Sequence, residues 1–448
     1  MKYYIKTWII CFGWIVSALS IQAQKKPLNL EETRNLALEF NKSLKVSALQ
    51  KVEAEAQKKE AFTNYLPRID ASGSASLMPT LENIGIPGFQ LPTGPEAGAG
   101  ASNAYFPGMT LETEKLSILE AGVTAQQAIY AGGQVRLGNK MASTGVEISE
   151  QAYQLKEAEV ILNTDQAYWQ LAAMNETVKL AEKYVQMLDS LEDQLKDMYE
   201  LSLVPKSEKL RVTVQKNDAE LKLLKARNGY RIMQMNLCRI IGLPLSTDIE
   251  ITEKVNQNPI LPDMSNSTEK ALAGRQELKI LDGQAQLSDY QKKMVNAAFL
   301  PQLGAQVAYQ YSQYGDLYDD GLVTLGASLS IPIFHWGEKK HKKSAAQARI
   351  EQAQLNLSDS QELVQLEVQQ VMIQLQEGYE SILWAQKNKQ EAQESLEETQ
   401  ASYEVGLNTT TDLLNAQASW QDAYSQEIKA LANFQVLKTR YQKALGLL

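Results

Sequence analysis

From Ile69 to Leu77 the chain alternates. Ile69, Ala71, Gly73, Ala75 and Leu77 fall on one side, and Asp70, Ser72, Ser74 and Ser76 on the other. The pattern returns in Leu119, Ala121, Val123, Ala125 and Ile129 against Glu120, Gly122, Thr124 and Gln126. It returns again in Leu303, Ala305, Val307, Tyr309 and Tyr311 against Gln302, Gly304, Gln306 and Gln310. A fourth run sets Leu325, Ala327, Leu329, Ile331 and Ile333 against Thr324, Gly326, Ser328 and Ser330. A period of two marks a strand with unlike faces. The pattern therefore predicts strands over about 67–78, 118–130, 301–312 and 322–334. Each is about ten residues, the length with which a tilted strand crosses a bilayer.

Between the strands the period lengthens. Asn29 with Glu32 has the form of a capping box, opening a helix that runs to about Asn64 and stops before Pro67. No proline interrupts Gln134 to Leu201 or Glu338 to Val405. At 1.5 Å per residue each such helix reaches ~100 Å. Ala181, Tyr184, Leu188, Leu191, Leu195 and Met198 keep a spacing of three and four, as do Val364, Val368, Val371, Leu375 and Ile382. Such narrow stripes are seams for neighbouring helices.

The same order of elements occurs twice. A shift of 234 lays Leu38 on Leu272, Leu44-Lys45 on Leu278-Lys279 and Leu66-Pro67 on Leu300-Pro301. A shift of 204 lays Ile129-Tyr130 on Ile333-Phe334, Gly133 on Gly337, Tyr199-Glu200 on Tyr403-Glu404 and Gly242-Leu243 on Gly446-Leu447. The chain reads as a first repeat over 24–241, a linker over 242–267 and a second repeat over 268–448, each helix-strand-strand-helix. The difference of 30 residues between the shifts places an insertion in 79–117. Its five Pro and six Gly predict a loop without regular elements.

Residues 1–23 have the form of a secretory signal. Lys2 and Lys6 precede the apolar run WIICFGWIVSALSI, with a cut expected after Ala23. No Cys stands at that cut, so no lipid anchor is expected there. Cys238 is then left alone, without a partner for an internal disulfide. The net charge of −9 argues against nucleic acid as a partner.

The chemistry inventory is thin. His335 and His341 are six apart, which does not place two ligands on one helix face, and they flank the basic run Lys339-Lys340-His341-Lys342-Lys343. Met233 and Met235 beside Cys238 read as helix packing. Gly132-Gly133 lacks the rest of a phosphate-binding motif. No catalytic, cofactor or metal site is expected.

Strands that cross lipid must close into a barrel, because open edges leave unpaired backbone groups in hydrocarbon. The smallest such barrels have about eight strands, and one chain supplies four. Several chains must share one barrel. For a secreted chain this points to the outer membrane of a Gram-negative bacterium, with the helices reaching into the periplasm. A secreted periplasmic coiled-coil scaffold without a pore is the alternative, and the four alternating segments argue against it.

The chain resembles the TolC-like outer-membrane efflux family over about residues 28–447. The carriers are the doubled YLP and FLP segments, the strand ends QQAIYAGG and LSIPIFHWG, the repeat ends IGLPL and LGLL, and YEVGLNTTTDLLNAQ. The resemblance implies a mainly α fold with membrane β. The expected assembly is a homotrimer whose 12-stranded β-barrel (four strands from each of three chains) continues into a periplasmic 12-helix α-barrel. It implies an exit duct for an inner-membrane pump of RND or ABC type and a periplasmic adaptor, with no catalysis. The breaks YELSLVPKSEKLRVT and YEVGLNTTTDLLNAQ then form the periplasmic entrance. There the resemblance gives Asp412 a constricting ring, and Tyr403 and Glu208 a latch between coils. Asn415, Asn408 and Ser202 depart from the family's aspartate, arginine and glycine, and a salt bridge of Glu208 with Arg211 is expected to replace part of the latch. Asp412 as an N-cap of the following helix is an equal reading. Loops 79–117 and 313–321 would be extracellular. Tyr130, Phe334 and Trp336 would meet outer-membrane lipid at the inner interface, and Tyr309, Tyr311 and Tyr314 would sit toward the outer one.

Overall fold

The computed structural model describes residues 26–78, 84–92, 103–111, 116–253, 258–315 and 318–448. The expected signal segment lies outside the described residues. The first half holds β1 (Lys26–Leu28), α1 (Leu30–Phe40), α2 (Lys42–Thr63), β2 (Arg68–Met78) and four short strands, β3 (Ile84–Ile86), β4 (Phe89–Pro92), β5 (Asn103–Phe106) and β6 (Met109–Leu111). It continues with β7 (Leu116–Ala131), α3 (Gln134–Glu200) and α4 (Lys206–Ile240). After β8 (Ile249–Ile251) come α5 (Ser267–Gly274), α6 (Gln276–Ala297), β9 (Gln302–Tyr314), β10 (Tyr318–Ser330), α7 (Glu338–Glu404) and α8 (Thr410–Ala444). The helix lengths match in pairs. Both α2 and α6 have 22 residues, α3 and α7 have 67, and α4 and α8 have 35.

The chain divides into two compact units. One comprises residues up to Glu53, Val146–Ala285 and Gln352–Leu448; the other comprises Ala54–Gly145 and Gln286–Glu351. The first is helical, with β1 and β8 pairing in parallel. Its cores follow the sequence stripes. Tyr184, Leu188, Leu191 and Leu195 of α3 pack with Val212, Leu396, Leu413, Leu414 and Trp420. Val364, Val368, Val371, Leu375 and Ile382 of α7 pack with Phe434, Leu437 and Tyr441. Each large aliphatic side chain so buried contributes about 1.5–3 kcal/mol.

One polar cluster ties three helices of this unit. Asp165 of α3 is fully buried. Its Oδ1 accepts from Arg34 Nε of α1 at 2.7 Å, its Oδ2 accepts from an Arg34 terminal amino group, and the Thr439 hydroxyl of α8 donates to Oδ2 at 2.6 Å. The two sequence shifts carry Arg34 to Thr268 and Asp165 to Gln369. Gln369 Nε2 donates to the Thr268 hydroxyl at 3.4 Å, so a neutral pair stands where the first half has an ion pair.

The capping box at Asn29 is present. Asn29 Oδ1 accepts from the Glu32 amide at 2.8 Å. The helix expected to run unbroken to Asn64 is instead two, α1 and α2, divided at Asn41. Asn41 is extended, and its side-chain oxygen accepts from the Ser43 amide at 2.9 Å while its amide donates to the Ile240 carbonyl at 3.0 Å. A side chain that substitutes for backbone partners is what lets a helix break there.

The second unit carries an antiparallel sheet in the order β10-β9-β7-β2. Its register joins the alternations into two continuous faces. Ala71, Val123, Tyr309 and Val323 stand in one row across the sheet, and Ile69, Ala125, Val307 and Leu325 in the next apolar row. Between them lie Asp70, Thr124, Ala308 and Thr324. On this other face Glu120 accepts from Ser74 at 3.3 Å and from Tyr314 at 3.5 Å. Tyr314 therefore shares the polar face, unlike Tyr309 and Tyr311.

Strand ends differ from expectation in three places. The last strand covers Tyr318–Ser330 rather than 322–334. Pro332 has no N–H for the ladder, so Ile333 and Phe334 leave the sheet. Residues 313–321, expected as a loop, are largely paired: Tyr318, Asp319, Asp320 and Gly321 face Tyr314, Gln313, Ser312 and Tyr311. The insertion 79–117 also contains regular elements, contrary to the sequence expectation. β3 pairs with β6 and β4 with β5. Pro87-Gly88 and Pro107-Gly108 interrupt both arms of this ladder at the same level rather than preventing it. A Cβ on Gly88 would stand 3.0 Å from the Gly108 amide nitrogen, and one on Gly108 2.9 Å from that of Gly88. The two arms touch there only because neither has a side chain.

Candidate functional site

Two helix breaks lie in the first unit. Each long helix ends in the same turn. The Leu203 amide donates to the Met198 carbonyl and the Ser202 amide to that of Tyr199; in the second break Leu407 donates to Ser402 and Gly406 to Tyr403. This pattern needs a left-handed residue at the turn. Gly406 supplies it with φ 79°, and Ser202 takes the same conformation with φ 61° although its Cβ disfavours it. The departure from glycine at Ser202 therefore leaves the turn geometry intact.

The helices that follow start differently. α4 opens on Pro205, which offers no side-chain cap. α8 opens on Thr409, whose hydroxyl oxygen accepts from the Asp412 amide at 3.2 Å while an Asp412 oxygen accepts from the Thr409 amide at 3.0 Å. Asp412 is thus the third residue of a capping box and not the N-cap itself. The Thr409 hydroxyl, then its amide, hold the Asp412 carboxyl below its ordinary value. A lowered carboxylate makes its full contribution above the usual range and loses it as pH falls through the lowered value. Asp412 and Asn415 are both exposed, one turn apart on α8.

The two breaks touch through Arg211. Its guanidinium lies 3.8 Å from Glu208 Oε1 on the same helix and donates to the Thr411 hydroxyl of α8. The sequence placed Arg211 beside Glu208; Thr411 as the second partner carried no signal. Tyr403 does not bond Glu208. It is half buried against the cluster of Leu413, Leu414 and Trp420. Asn408 is half buried, and its amide reaches the Ser402 carbonyl at 3.4 Å. Of the expected gate residues, the geometry joins Glu208 and Arg211 and leaves Asp412, Asn415, Tyr403 and Asn408 each in its own surroundings.

Behind the breaks, Lys216 of α4 meets Asp189 and Glu192 of α3, and the Thr213 hydroxyl donates to Glu192. Thr213 first, then Lys216, hold the Glu192 carboxyl below its usual range. This clamp is full at neutral pH and weakens as pH falls below the ordinary carboxylate range and through the lowered Glu192 value.

In the second unit the aromatics expected at a membrane interface, Tyr130, Phe334 and Trp336, lie at or just beyond one end of the sheet. Tyr130 lies opposite Leu303 because a bulge falls between Ala128 and Tyr130. In a straight strand it would lie on the polar face with Glu120; the extra residue moves it to the apolar one. Phe334 and Trp336 stack edge to face at 4.9 Å and are 69% and 88% exposed. No helix among the described residues is long and apolar enough to cross a membrane. Cys238 is buried and its thiol donates to the Thr247 carbonyl at 3.6 Å, which makes it part of the core.

The sequence signature described as "Outer membrane efflux protein" matches residues 33–243 and 268–447. The chain belongs to the outer membrane efflux protein family. It is 22% identical over 308 residues to the alkaline protease secretion protein AprF of Pseudomonas aeruginosa, a match covering 67% of this chain and 64% of AprF. It is 21% identical over 315 residues to the outer membrane efflux protein BepC of Brucella suis, covering 69% of this chain and 68% of BepC. Among solved structures, the CmeC outer membrane channel of Campylobacter jejuni superposes with a TM-score of 0.76 at 18% identity, over 93% of this chain and 85% of CmeC. VceC of Vibrio cholerae gives 0.73 at 16% identity, over 93% of this chain and 96% of VceC. The fold is that of outer-membrane channels.

Proposed function

We propose that three copies of this chain form an outer-membrane exit duct, passing substrates from an inner-membrane pump and a periplasmic adaptor to the cell exterior. The observation that carries this reading is the sheet. It has one apolar and one polar face, and both of its edges, β2 and β10, lack a partner strand among the described residues. Unpaired edges are excluded from lipid, so copies must complete one another. The paired helix lengths fit two repeats per chain, each delivering a strand pair and a long coil to the tube. AprF and BepC carry secretion and efflux in their names, which suits a duct whose cargo is set by its pump.

In this reading the two helix breaks face the periplasm and narrow the entrance. Asp412 places one carboxylate per chain near the axis, and a narrow mouth concentrates the field of like charges. Asn415 adds none. Arg211 holds the two breaks of each chain together through Glu208 and Thr411. The test is single-channel recording on the purified assembly in planar bilayers. Asp412→Ala is expected to lower cation selectivity and block by multivalent cations; Arg211→Ala is expected to raise conductance, because the breaks can then part. Unchanged selectivity assigns Asp412 to helix capping alone, and unchanged conductance removes Arg211 from the latch.

A further inference from the structure

At the end of the sheet where β10 gives way to α7, the backbone takes an unfavourable form. Trp336 has φ 45° and Gly337 φ 84°. The same corner of the first half is built from Gly132 and Gly133, with φ 62° and 87°. A left-handed conformation is easy for glycine and strained for a bulky residue. The strain at Trp336 secures no burial, since that side chain is 88% exposed, beside Ile333 at 91% and Phe334 at 69%.

The helix that follows is basic. Lys339 and Lys342 lie over the Phe299 ring at 5.8 and 5.9 Å, and Lys342 pairs with Glu338 at 2.6 Å. Glu338 also meets His335 Nδ1 at 2.9 Å. These contacts hold the first turn of α7 against the end of α6. Lys340 and Lys343, one turn apart, are exposed and have no ion pair or hydrogen bond among the described residues. The corner therefore joins a strained, exposed indole to the opening turns of a helix that carry two unneutralised ammonium groups, four and seven residues further along, in a chain whose net charge is −9. The corresponding stretch of the first half, from Gly133, has no such run.

We propose that Trp336, Lys340 and Lys343 form a binding site for the headgroup of an anionic phospholipid of the membrane leaflet at this end of the sheet. The indole lies at the boundary of acyl chain and headgroup, where aromatic residues anchor barrels. The two ammonium groups take the phosphate, and each lysine near an anionic surface strengthens binding roughly fivefold. This rests on the reading of the sheet as part of a membrane barrel.

The experiment uses the full assembly in nanodiscs of phosphatidylcholine with a third phosphatidylglycerol. It is extracted in mild detergent, and the lipids retained per assembly are counted by native mass spectrometry. The wild type is expected to retain phosphatidylglycerol over phosphatidylcholine. Lys340→Gln with Lys343→Gln is expected to lower that preference roughly 25-fold at unchanged assembly mass, and the arginine pair to keep it. Trp336→Gly is expected to lose lipid while raising the melting temperature in detergent, because glycine relieves the backbone. A merely structural tryptophan would lower the melting temperature and leave lipid retention unchanged, which overturns its part in the site. Equal lipid preference in wild type and glutamine variants overturns the proposal. So does loss of assembly mass in the glutamine pair, which would assign the lysines to a contact between chains. Failure to enter nanodiscs of either lipid overturns the membrane reading itself, and the proposal with it.

Discussion

Arg34→Ala is expected to destabilise the helical unit by about 3–5 kcal/mol, because it leaves a buried carboxylate without its cation. Asp165 is fully buried, and among the described residues the only other group that hydrogen-bonds its side chain is the Thr439 hydroxyl. One hydroxyl does not replace a two-pronged guanidinium, whose bonds to a carboxylate are among the strong ones. The loss spreads, since the pair joins α1 to α3 and Thr439 brings in α8. Asp165→Asn is expected to cost less, because the amide leaves no buried charge, and the Arg34 side chain, 31% exposed, keeps its charge within reach of water. The hydrogen bond to Asp165 raises the Arg34 pKa above its already high value, against the opposing effect of burial. A raised folded-state pKa gives stability that is complete below the unfolded value and lost only above it. The Arg34 contribution should therefore stay flat through the neutral range. Chemical denaturation of wild type, Arg34→Ala and Asp165→Asn at matched protein concentration checks this. Equal effects from the two variants would mean that lost packing, not the stranded charge, sets the cost.

Val307→Arg should block assembly into membranes, whereas Gln306→Arg, one residue away, should be tolerated. Val307 lies in the apolar row with Ala125 and Leu325, and Gln306 in the polar row with Gln126 and Gly326. A charge on the lipid face near the bilayer midplane costs about 2–4 kcal/mol, taken once per chain. On the polar face the same guanidinium reaches water. The yield of assembled protein in the outer-membrane fraction separates the two. If both variants assemble alike, the two faces of the sheet do not divide lipid from water.

The long elements were legible because their periods are simple. Sixty-odd residues without proline, with Tyr184, Leu188, Leu191 and Leu195 in register, admit little besides a helix, and α3 and α7 start and stop within a residue of expectation. Strand ends were less legible. Ile331 and Ile333 continue the alternation past the point where Pro332, without an N–H, ends the ladder at Ser330. The bulge before Tyr130 had no local signature, since it depends on how β7 meets β9. Proline and glycine in 79–117 signal breaks over the whole segment. In fact they punctuate a ladder whose strands are only three or four residues long, too short for periodicity to register. At the helix breaks, the Thr run with Asp412 carried its capping box openly. The reach of Arg211 to Thr411 did not, because it spans 200 residues of chain.

In a shared barrel β2 of one chain pairs with β10 of the next, and disulfide mapping across these two edges tests that pairing most directly. Cysteine at Ser74 is combined in turn with cysteine at Asp320, Leu322, Thr324 or Gly326, residues of one face of the sheet. Two cysteines bridge only when their Cα atoms come within about 7 Å, so neighbouring strands in one register are required. The expected result is that one or two of these pairs oxidise between chains in membranes, giving a ladder that stops at three. Chains that close on themselves, a ladder without an end, or no bridge at any pairing would contradict a shared barrel.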